Sequence, residues 1–133
     1  MALRVVRLGT PRVPREGLRI GTVRHLPRGV RKQDYARRNY FDVWLPELAP
    51  SAALVSWAQS KPWTAARWAA FARRYRAEMR RPAPQRVIAL LAALSAKADL
   101  SVGCYCEDES RCHRSLLGKL LAEHGATLLR RGG

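Results

Sequence analysis

The sequence predicts a single compact α/β domain of three layers, in which a small, mostly parallel β-sheet is flanked by helices. Short apolar and β-branched segments of strand length alternate with longer segments whose apolar residues recur every three or four positions, and this alternation is typical of parallel sheets. The chain has 133 residues, of which 47% are hydrophobic. That composition is enough for one hydrophobic core and leaves little for a second, so we expect residues 1–133 to form one domain.

Two strands are predicted near the start of the chain. The segment Leu3–Thr10 is short and β-branched, and it ends in a glycine and a proline that bound it. The segment Leu18–Arg24 repeats this pattern and is followed by a Pro-Arg-Gly turn sequence at 27–29. Residues 32–50 contain several aromatic residues without a sustained period. We therefore expect this part to be irregular, with one helical turn.

Three helices are predicted between residues 50 and 98. Ser51 is placed to cap a short helix that extends through Trp57. From Thr64 to about Arg80, large apolar residues recur at spacings of three and four and predict a buried helical face, formed by Trp68, Phe71, Tyr75 and Met79. Pro84 suits the first turn of the third helix. The predicted apolar face of that helix consists of Val87, Leu90, Leu91, Leu94 and Ala98.

The last part of the chain predicts a strand, a helix and one more short strand. Leu100–Tyr105 is a compact, mostly apolar segment, and an acidic loop follows it. A helix is predicted to begin near Arg111 and to stop at Gly125, a residue type that commonly ends helices. Ala126–Leu129 has the length of a final short strand.

The segment Cys104–Ser115 concentrates the side chains that are suited to chemistry. It follows a predicted strand, and in open α/β sheets ligands bind outside the carboxyl ends of the strands. Cys112 and His113 would lie in the first turn of the last helix, where unpaired amides and the helix dipole favour an anion and a thiol ionises more easily. We therefore predict Cys112 as a catalytic nucleophile and His113 as its base.

The same location predicts binding of a small anionic ligand, phosphate-containing or nucleotide-like. Arg111, Arg114 and Ser115 lie around the predicted helix start. Arg24 and Arg28 follow the second predicted strand and would face the same cleft if that strand neighbours the Leu100 strand. The alternative for the two arginines is a solvent-exposed turn. The alternative for the cysteines and the histidine is a structural role in the core.

Zinc is a further use that the same segment suggests. Cys104, Cys106, Cys112 and His113 are four suitable ligand types within a short stretch. Their spacing is not a usual finger or ribbon pattern, and adjacent helical residues seldom converge on one ion. We therefore expect no cofactor, and zinc is the disfavoured interpretation.

The charge of the chain predicts an alternative function. With 25 Lys and Arg against 10 Asp and Glu, the formal net charge is +15, which attracts polyanions. The chain could thus be a basic nucleic-acid-binding module without catalysis. The arginines that would contact phosphates are Arg67, Arg73, Arg74, Arg76, Arg80 and Arg81. A compositional bias toward arginine explains the same excess, so both interpretations stay open.

The expected location is the cytoplasm. No segment has the length of an apolar signal core or of a membrane span, so we expect no membrane partner. Three cysteines without an export signal indicate reduced thiols rather than a disulfide framework. The sequence does not indicate an oligomeric state.

Residues spread over almost the whole chain carry a family resemblance: Arg19-Ile20, Arg24, Pro27-Arg28-Gly29-Val30, Trp44-Leu45, Leu48-Ala49-Pro50-Ser51, Trp57, Phe71, Arg74-Tyr75 and Cys112-His113-Arg114-Ser115. They are similar to the motifs of the bacterial YeaO-like family, domain of unknown function 488. Members usually have an Asp-Arg pair and a Trp before the Pro-Arg-Gly sequence, where this chain has Val23-Arg24 and Leu26. The resemblance implies a compact α/β domain and a recurring Cys-His-Arg triplet, and it does not imply a particular reaction.

Overall fold

A computed structural model describes residues 1–129 and shows a five-stranded parallel sheet with four α-helices. The strands are β1 (Leu3–Arg7), β2 (Leu18–Gly21), β3 (Val43–Trp44), β4 (Leu100–Cys104) and β5 (Leu128–Leu129). The helices are α1 (Ala52–Gln59), α2 (Ala65–Met79), α3 (Pro82–Leu94) and α4 (His113–Glu123), and short 3₁₀ turns occupy Lys32–Asp34, Pro46–Leu48 and Glu109–Arg111. The predicted α/β class is confirmed. No helix within residues 1–129 is long and apolar enough to cross a lipid bilayer.

The strand order explains where the helices lie. The order across the sheet is β3-β2-β4-β1-β5, so the chain moves from β1 through β2 to β3 at one edge and returns through β4 to β5 at the other. Connections between parallel strands are right-handed. Connections that lead toward β3 and connections that lead toward β5 therefore lie on opposite faces of the sheet. The first two connections are the irregular segments 8–17 and 22–42, and the returning connections contain all four helices. Helices therefore cover one face of the sheet, and irregular segments form the layer on the other face.

The helical face of the sheet holds the main hydrophobic core. Leu3, Ile20 and Val102 enter it from β1, β2 and β4, and the residues buried with them from α2 are Phe71, Tyr75 and Met79. The predicted buried face of α2 is thus correct, with Trp68 half-buried at its start. The hydroxyl of Tyr75 donates a hydrogen bond of 2.7 Å to the carbonyl of Leu48, which satisfies the polar group of this fully buried side chain.

The irregular layer lies very close to the sheet. A Cβ atom added at Gly103 would lie 2.7 Å from Cδ2 of Leu8, and one added at Gly21 would overlap the ring of Phe41. Leu8 and Phe41 form a second, smaller core cluster together with Val23. Glycine at these two strand positions therefore lets segments 8–17 and 22–42 cover the sheet without helices.

A buried ion pair joins this layer to β2. Arg19 donates from Nε and Nη2 to the two carboxylate oxygens of Glu16, at 2.7 and 2.8 Å, and from Nη1 to the carbonyls of Thr10 and Asn39. The hydroxyl of Ser101 on β4 also donates to Glu16, at 3.0 Å. Burial acts to raise the pKa of Glu16, but the hydrogen bonds and charge of Arg19, with the Ser101 bond, outweigh it and hold that pKa below its ordinary value.

Helix α3 has the predicted start but a partly different buried face. It begins at Pro82, which places Pro84 in its first turn, and the buried positions of this segment are Ile88, Leu91, Ala92 and Ser95. Leu90 is 58% exposed and Leu94 is also exposed, although both belong to the predicted face. The hydroxyl of Ser95 accepts a bond from the amide of Thr127 just before β5. The spacing of apolar residues in the sequence could not identify the row that contains Ser95 as the buried one. The contact that buries Ser95 comes from Thr127, which is distant in the sequence.

Strand β3 was not predicted. It has only two residues, Val43 and Trp44, which pair with Ile20 and Gly21 at the edge of the sheet. Two residues are too few to produce an alternating pattern. The rest of residues 32–50 is irregular with two 3₁₀ turns, where one helical turn was expected.

Candidate functional site

A cavity of about 390 Å³ opens where β2 and β4 end and α4 begins. Its location agrees with the rule that ligands of parallel α/β sheets bind outside the carboxyl ends of the strands. The residues that line it are Val23, Arg24, His25, Pro50, Val55, Ala58, Gln59, Trp63, Phe71, Cys104, Tyr105, Cys106, Arg111, Cys112 and His113. The segment that follows β4 contributes Tyr105, Cys106, Arg111, Cys112 and His113 to this lining. The helical layer contributes apolar side chains.

Helix α4 begins later than the sequence predicts. Asp108 caps the preceding 3₁₀ turn, because its carboxylate accepts a bond of 3.0 Å from the amide of Ser110. The chain then passes through Cys112 in an extended conformation, with φ of −127° and ψ of 143°. His113 is the first helical residue. Cys112 is therefore the N-cap residue and His113 starts the first turn, so the two adjacent side chains leave the backbone in different directions.

Three cysteine side chains meet at the inner end of the cavity. The Sγ atoms of Cys104, Cys106 and Cys112 all lie within 4.8 Å of one another, and those of Cys104 and Cys106 are 3.6 Å apart. Cys104 and Cys112 are buried, whereas Cys106 is exposed. The cluster arises because β4 ends at Cys104 and the chain returns to the same place at the N-cap of α4.

The cysteine cluster favours negative charge on Cys106. Bonds from the thiols of Cys104 and Cys112 lower the pKa of Cys106, and the positive charge of Arg114 acts in the same direction. The same cluster raises the pKa of Cys104, through its bond to Cys106, and that of Cys112, through its bonds to both neighbours. The sequence predicts Cys112 as the ionised thiol, whereas the directions of these pKa shifts favour Cys106.

His113 has a defined proton position. Its Nε2 lies 2.6 Å from the carbonyl oxygen of Thr22, and because a carbonyl can only accept, Nε2 carries the hydrogen. Nδ1 then carries the lone pair and accepts a bond from the thiol of Cys112, whose Sγ is 3.9 Å away. Burial lowers the pKa of His113 to about 4, although the bond to Thr22 acts against this. The imidazole is therefore neutral near pH 7 and offers an acceptor toward the cysteine cluster.

Two of the predicted ligand-binding arginines line the cavity. Arg24 is half-buried and donates from Nε to the carbonyl of Pro50 at 2.9 Å and from Nη2 to that of Pro46 at 3.1 Å. It thereby holds the segment before α1 in place, while its charge remains beside the cavity. Arg111 lines the opposite side, with its guanidinium carbon 5.8 Å from the ring centre of Trp68.

Three other predicted ligand-binding residues lie elsewhere. Arg28 is exposed in a shallow hollow outside the cavity. Arg114 is buried, and its Nη1 donates to the carbonyl of Cys106 at 2.6 Å, so it supports the backbone of the cysteine loop. The hydroxyl of Ser115 donates to the carbonyl of Cys112 at 2.9 Å. The structure therefore brings Arg24, Arg111, Cys112 and His113 together, and Arg28, Arg114 and Ser115 do not line the cavity.

Sequence reasoning missed the apolar wall of the site. Trp63 and Phe71 line it with ring centres 5.5 Å apart, and Val55 and Ala58 of α1 complete it. The pattern of α2 identified Phe71 only as a core residue. The sequence offered one signal for this wall, Trp63, which lies just before the capped start of α2. The sequence does not show that this residue lies near the end of β2, because that depends on the topology.

The six arginines assigned to nucleic acid do not form a uniform surface. The guanidinium carbons of Arg67 and Arg74 lie 4.1 and 4.4 Å from the ring centre of Trp57, and Arg76 lies 3.5 Å from a carboxylate oxygen of Glu123. The remaining three, Arg73, Arg80 and Arg81, are exposed. Half of the set is therefore in contact with other side chains of the protein.

Comparison with curated proteins and with solved structures gave no match. A family model does match, and it is described as DUF488-N3a, the active DUF488-N3 subclade. The match extends over residues 3–125, which include the irregular layer, the four helices and the whole segment Cys104–Ser115. It agrees with the motifs that suggested the YeaO-like resemblance. The chain therefore belongs to the DUF488 (YeaO-like) family.

Proposed function

We propose that the protein binds a small anionic ligand, phosphate-containing or nucleotide-like, in the cavity between the ends of β2 and β4 and the start of α4. The observation that supports this most directly is the charge of the lining. Arg24, Arg111 and two histidines line the cavity, and no Asp or Glu of the described chain does so. The cavity of about 440 Å³ that segment 8–17 helps to line also contains arginines, but Glu16 and Glu109 are part of its lining.

Arg111 is the main candidate for direct contact with the ligand. Its guanidinium takes part in no ion pair within residues 1–129, whereas Arg24 already donates to backbone carbonyls. The amino end of α4 lies beside the same space, where first-turn amides and the helix dipole favour an anion. Arg111 would supply the contact, and Arg24 would add long-range attraction.

The rest of the lining suits a flat, less polar part of the ligand. Val55, Ala58, Trp63 and Phe71 form one side, and aromatic walls commonly hold rings in small-molecule sites. A volume of about 390 Å³ lies at the small end of the range for ligand cavities, roughly 300–1,000 Å³. This size suits a small molecule, and Cys112 and His113 would form the wall against which it lies.

Calorimetric titration with inorganic phosphate and a nucleoside monophosphate, at low and physiological salt, tests this proposal. An Arg111→Gln variant should bind roughly ten-fold more weakly or worse, since a hydrogen bond to a charged group contributes about 1.5–3 kcal/mol. The matched control is Arg28→Gln, which removes the same charge outside the cavity. Equal loss in both variants, or binding that disappears at physiological salt, would refute a cavity site.

Nucleic-acid binding is the second proposal, and one observation favours it. Arg73, Arg80 and Arg81 are exposed at α2 and just beyond its end, and none forms an ion pair within the part of the chain described. If these residues contact phosphates, replacing each with Gln should weaken binding of a short DNA duplex equally for all sequences. It should also reduce the dependence of log affinity on log salt by about one unit per contact. Phosphate binding to the cavity should stay the same in these variants.

A further inference from the structure

We propose that Cys104, Cys106, Cys112 and His113 bind one thiophilic divalent metal ion, of the kind typified by Zn(II), in the inner wall of the cavity. The three Sγ atoms already lie within 4.8 Å of one another, and Nδ1 of His113 lies 3.9 Å from Sγ of Cys112. Three thiolates and one imidazole are an established ligand set for structural zinc. The four donors come from the end of β4 and the start of α4, which the fold holds together.

The donor distances are close to those of a tetrahedral site. Zinc–sulfur bonds of about 2.3 Å and zinc–nitrogen bonds of about 2.0–2.1 Å require sulfurs about 3.8 Å apart and a sulfur–nitrogen distance of about 3.6 Å. Cys104 and Cys106 are 3.6 Å apart, and the distance from Cys112 to Nδ1 of His113 is 3.9 Å. The remaining sulfur pairs are no more than 4.8 Å apart, so shifts of about an ångström bring the three sulfurs to one ion. Within residues 1–129 only these three sulfurs lie mutually within 4.8 Å, so the ring of His113 must move further to complete the site.

The hydrogen bond of His113 has the form expected of a metal ligand. Histidines that bind metals commonly donate the other ring N–H to a carbonyl or carboxylate, which fixes the tautomer and the direction of the ring. Nε2 of His113 donates to the carbonyl of Thr22 at 2.6 Å, and Tyr75 packs against the ring with its centre 5.5 Å away. The lone pair on Nδ1 is thereby directed toward the cysteine side.

One premise of the sequence argument against zinc does not apply in the structure. It held that adjacent helical residues seldom converge on one ion, but Cys112 is extended and only His113 is helical. The 3₁₀ turn that Asp108 caps at its amino end finishes at Arg111, and Cys112 follows it in this conformation. Across this helix boundary, Sγ of Cys112 and Nδ1 of His113 lie 3.9 Å apart.

The surroundings of the cluster also support a charged site. Three thiolates with one divalent ion carry a net charge of −1, and an uncompensated buried charge is unfavourable. The guanidinium of Arg114 is buried, and it donates to the carbonyls of both Cys104 and Cys106, so a positive charge lies directly behind the loop. Cys106 is exposed and lines the cavity, which provides a route for the ion.

Titration of the metal-free, fully reduced protein with Co(II) and then Zn(II) tests this inference. We expect one ion per chain, cobalt absorption of tetrahedral type with thiolate-to-metal charge transfer, and protection of Cys106 from alkylation by zinc. Less than one ion per chain, or a cobalt complex without thiolate charge transfer, would overturn the inference.

Two variants identify the ligands. Cys106→Ser changes an exposed side chain, so the fold should persist. Its zinc affinity should fall by more than roughly 10–100-fold, which is the loss when a residue that only hydrogen-bonds to a metal ligand is removed. His113→Gln should change the cobalt spectrum, while His25→Gln, at another histidine of the cavity lining, should not. Unchanged zinc affinity in Cys106→Ser would refute the site, and an unchanged spectrum in His113→Gln would refute the fourth ligand. Because these measurements use the metal alone, their failure leaves the phosphate result for Arg111 unaffected.

Discussion

The carboxylate of Glu16 neutralises the guanidinium of Arg19 at a place where neither side chain reaches water, with exposed side-chain fractions of 3% and 0%. Arg19 lies on β2, directly before the core residue Ile20, and Glu16 belongs to the irregular segment 8–17. The pair thus fixes the irregular layer to the strand that leads into the cavity. Removing one member of such a pair leaves an uncompensated buried charge, which costs more than the pair itself contributes.

Replacing Glu16 with Gln should lower the free energy of unfolding by about 3–5 kcal/mol, because Arg19 would keep its charge without a counter-ion. Urea unfolding followed by circular dichroism measures this. The control is Glu107→Gln, at an exposed carboxylate that pairs with Arg7 at 3.5 Å. Its effect should stay within about 1 kcal/mol. A Glu16→Gln effect no larger than that of the control would contradict the buried pair.

Stability should decrease in acid. Burial acts to raise the pKa of Glu16 and Asp42, but Arg19 and Arg12, respectively, outweigh it and hold both values below the ordinary 4.5 and 3.8. The unfolded chain therefore takes up protons at a higher pH than the folded chain. The stabilisation is complete above these ordinary values and is lost as the pH falls through them toward the folded-state values.

Unfolding free energies measured in steps from pH 7 to about pH 3 should show this loss beginning near pH 5. Glu16→Gln should show a smaller decrease over the same interval, because it lacks one of the groups responsible. Repulsion among the many positive charges lowers the stability of the wild-type protein and of Glu16→Gln alike, so it largely cancels when the two are compared. Equal slopes in the two proteins would exclude Glu16 as a source of the acid sensitivity.

Adding a methyl group at Gly21 should destabilise the fold. The new Cβ would overlap the ring of Phe41 in the irregular layer, and such overpacking typically costs about 1–3 kcal/mol. In a Phe41→Leu background the same Gly21→Ala change should cost less, because the ring that it meets is gone. A double-mutant cycle of urea unfolding measures this coupling. Additive effects would show that the two positions do not touch.

Cys106 should be the first thiol to react in the metal-free protein. It is exposed, whereas Cys104 and Cys112 are buried, so an alkylating reagent reaches it without local unfolding. Limited iodoacetamide labelling followed by peptide mass spectrometry gives the order of reaction. The sequence alone suggested Cys112, at the expected start of a helix. Labelling of Cys112 ahead of Cys106 would support that earlier assignment instead.

Much of the fold was predictable because it depends on short-range signals. Ser51 caps α1 as expected, through a bond from the amide of Leu54 at 3.2 Å. Thr64, where the second helix was expected to start, caps α2 through a bond from the amide of Arg67 at 3.1 Å. The apolar spacing of α2 identified its buried face, since that face is wide and aromatic. The class of the fold followed from the alternation of strand-like and helical segments.

The candidate site was predictable only in part, because its details depend on non-local contacts. The position at the end of β4 followed from a general rule, but the roles of the arginines did not. Arg24 is held by carbonyls that precede α1, and Arg114 by those of the cysteine loop. Before α4, the 3₁₀ turn Glu109–Arg111 leaves Cys112 extended and outside the helix, which changes which side chains can meet.

The central place of β4 in the sheet has a consequence for the order of assembly. During synthesis β1 and β2 emerge first, yet in the finished sheet β4 lies between them and pairs with both. The first two strands therefore do not pair with each other before β4 has been made. Hydrogen bonding across the centre of the sheet requires residues 100–104 to enter a gap between strands made much earlier, and such long-range pairing is slow. The cavity, which needs the ends of both β2 and β4, can exist only after this insertion, so an incomplete chain lacks the candidate site.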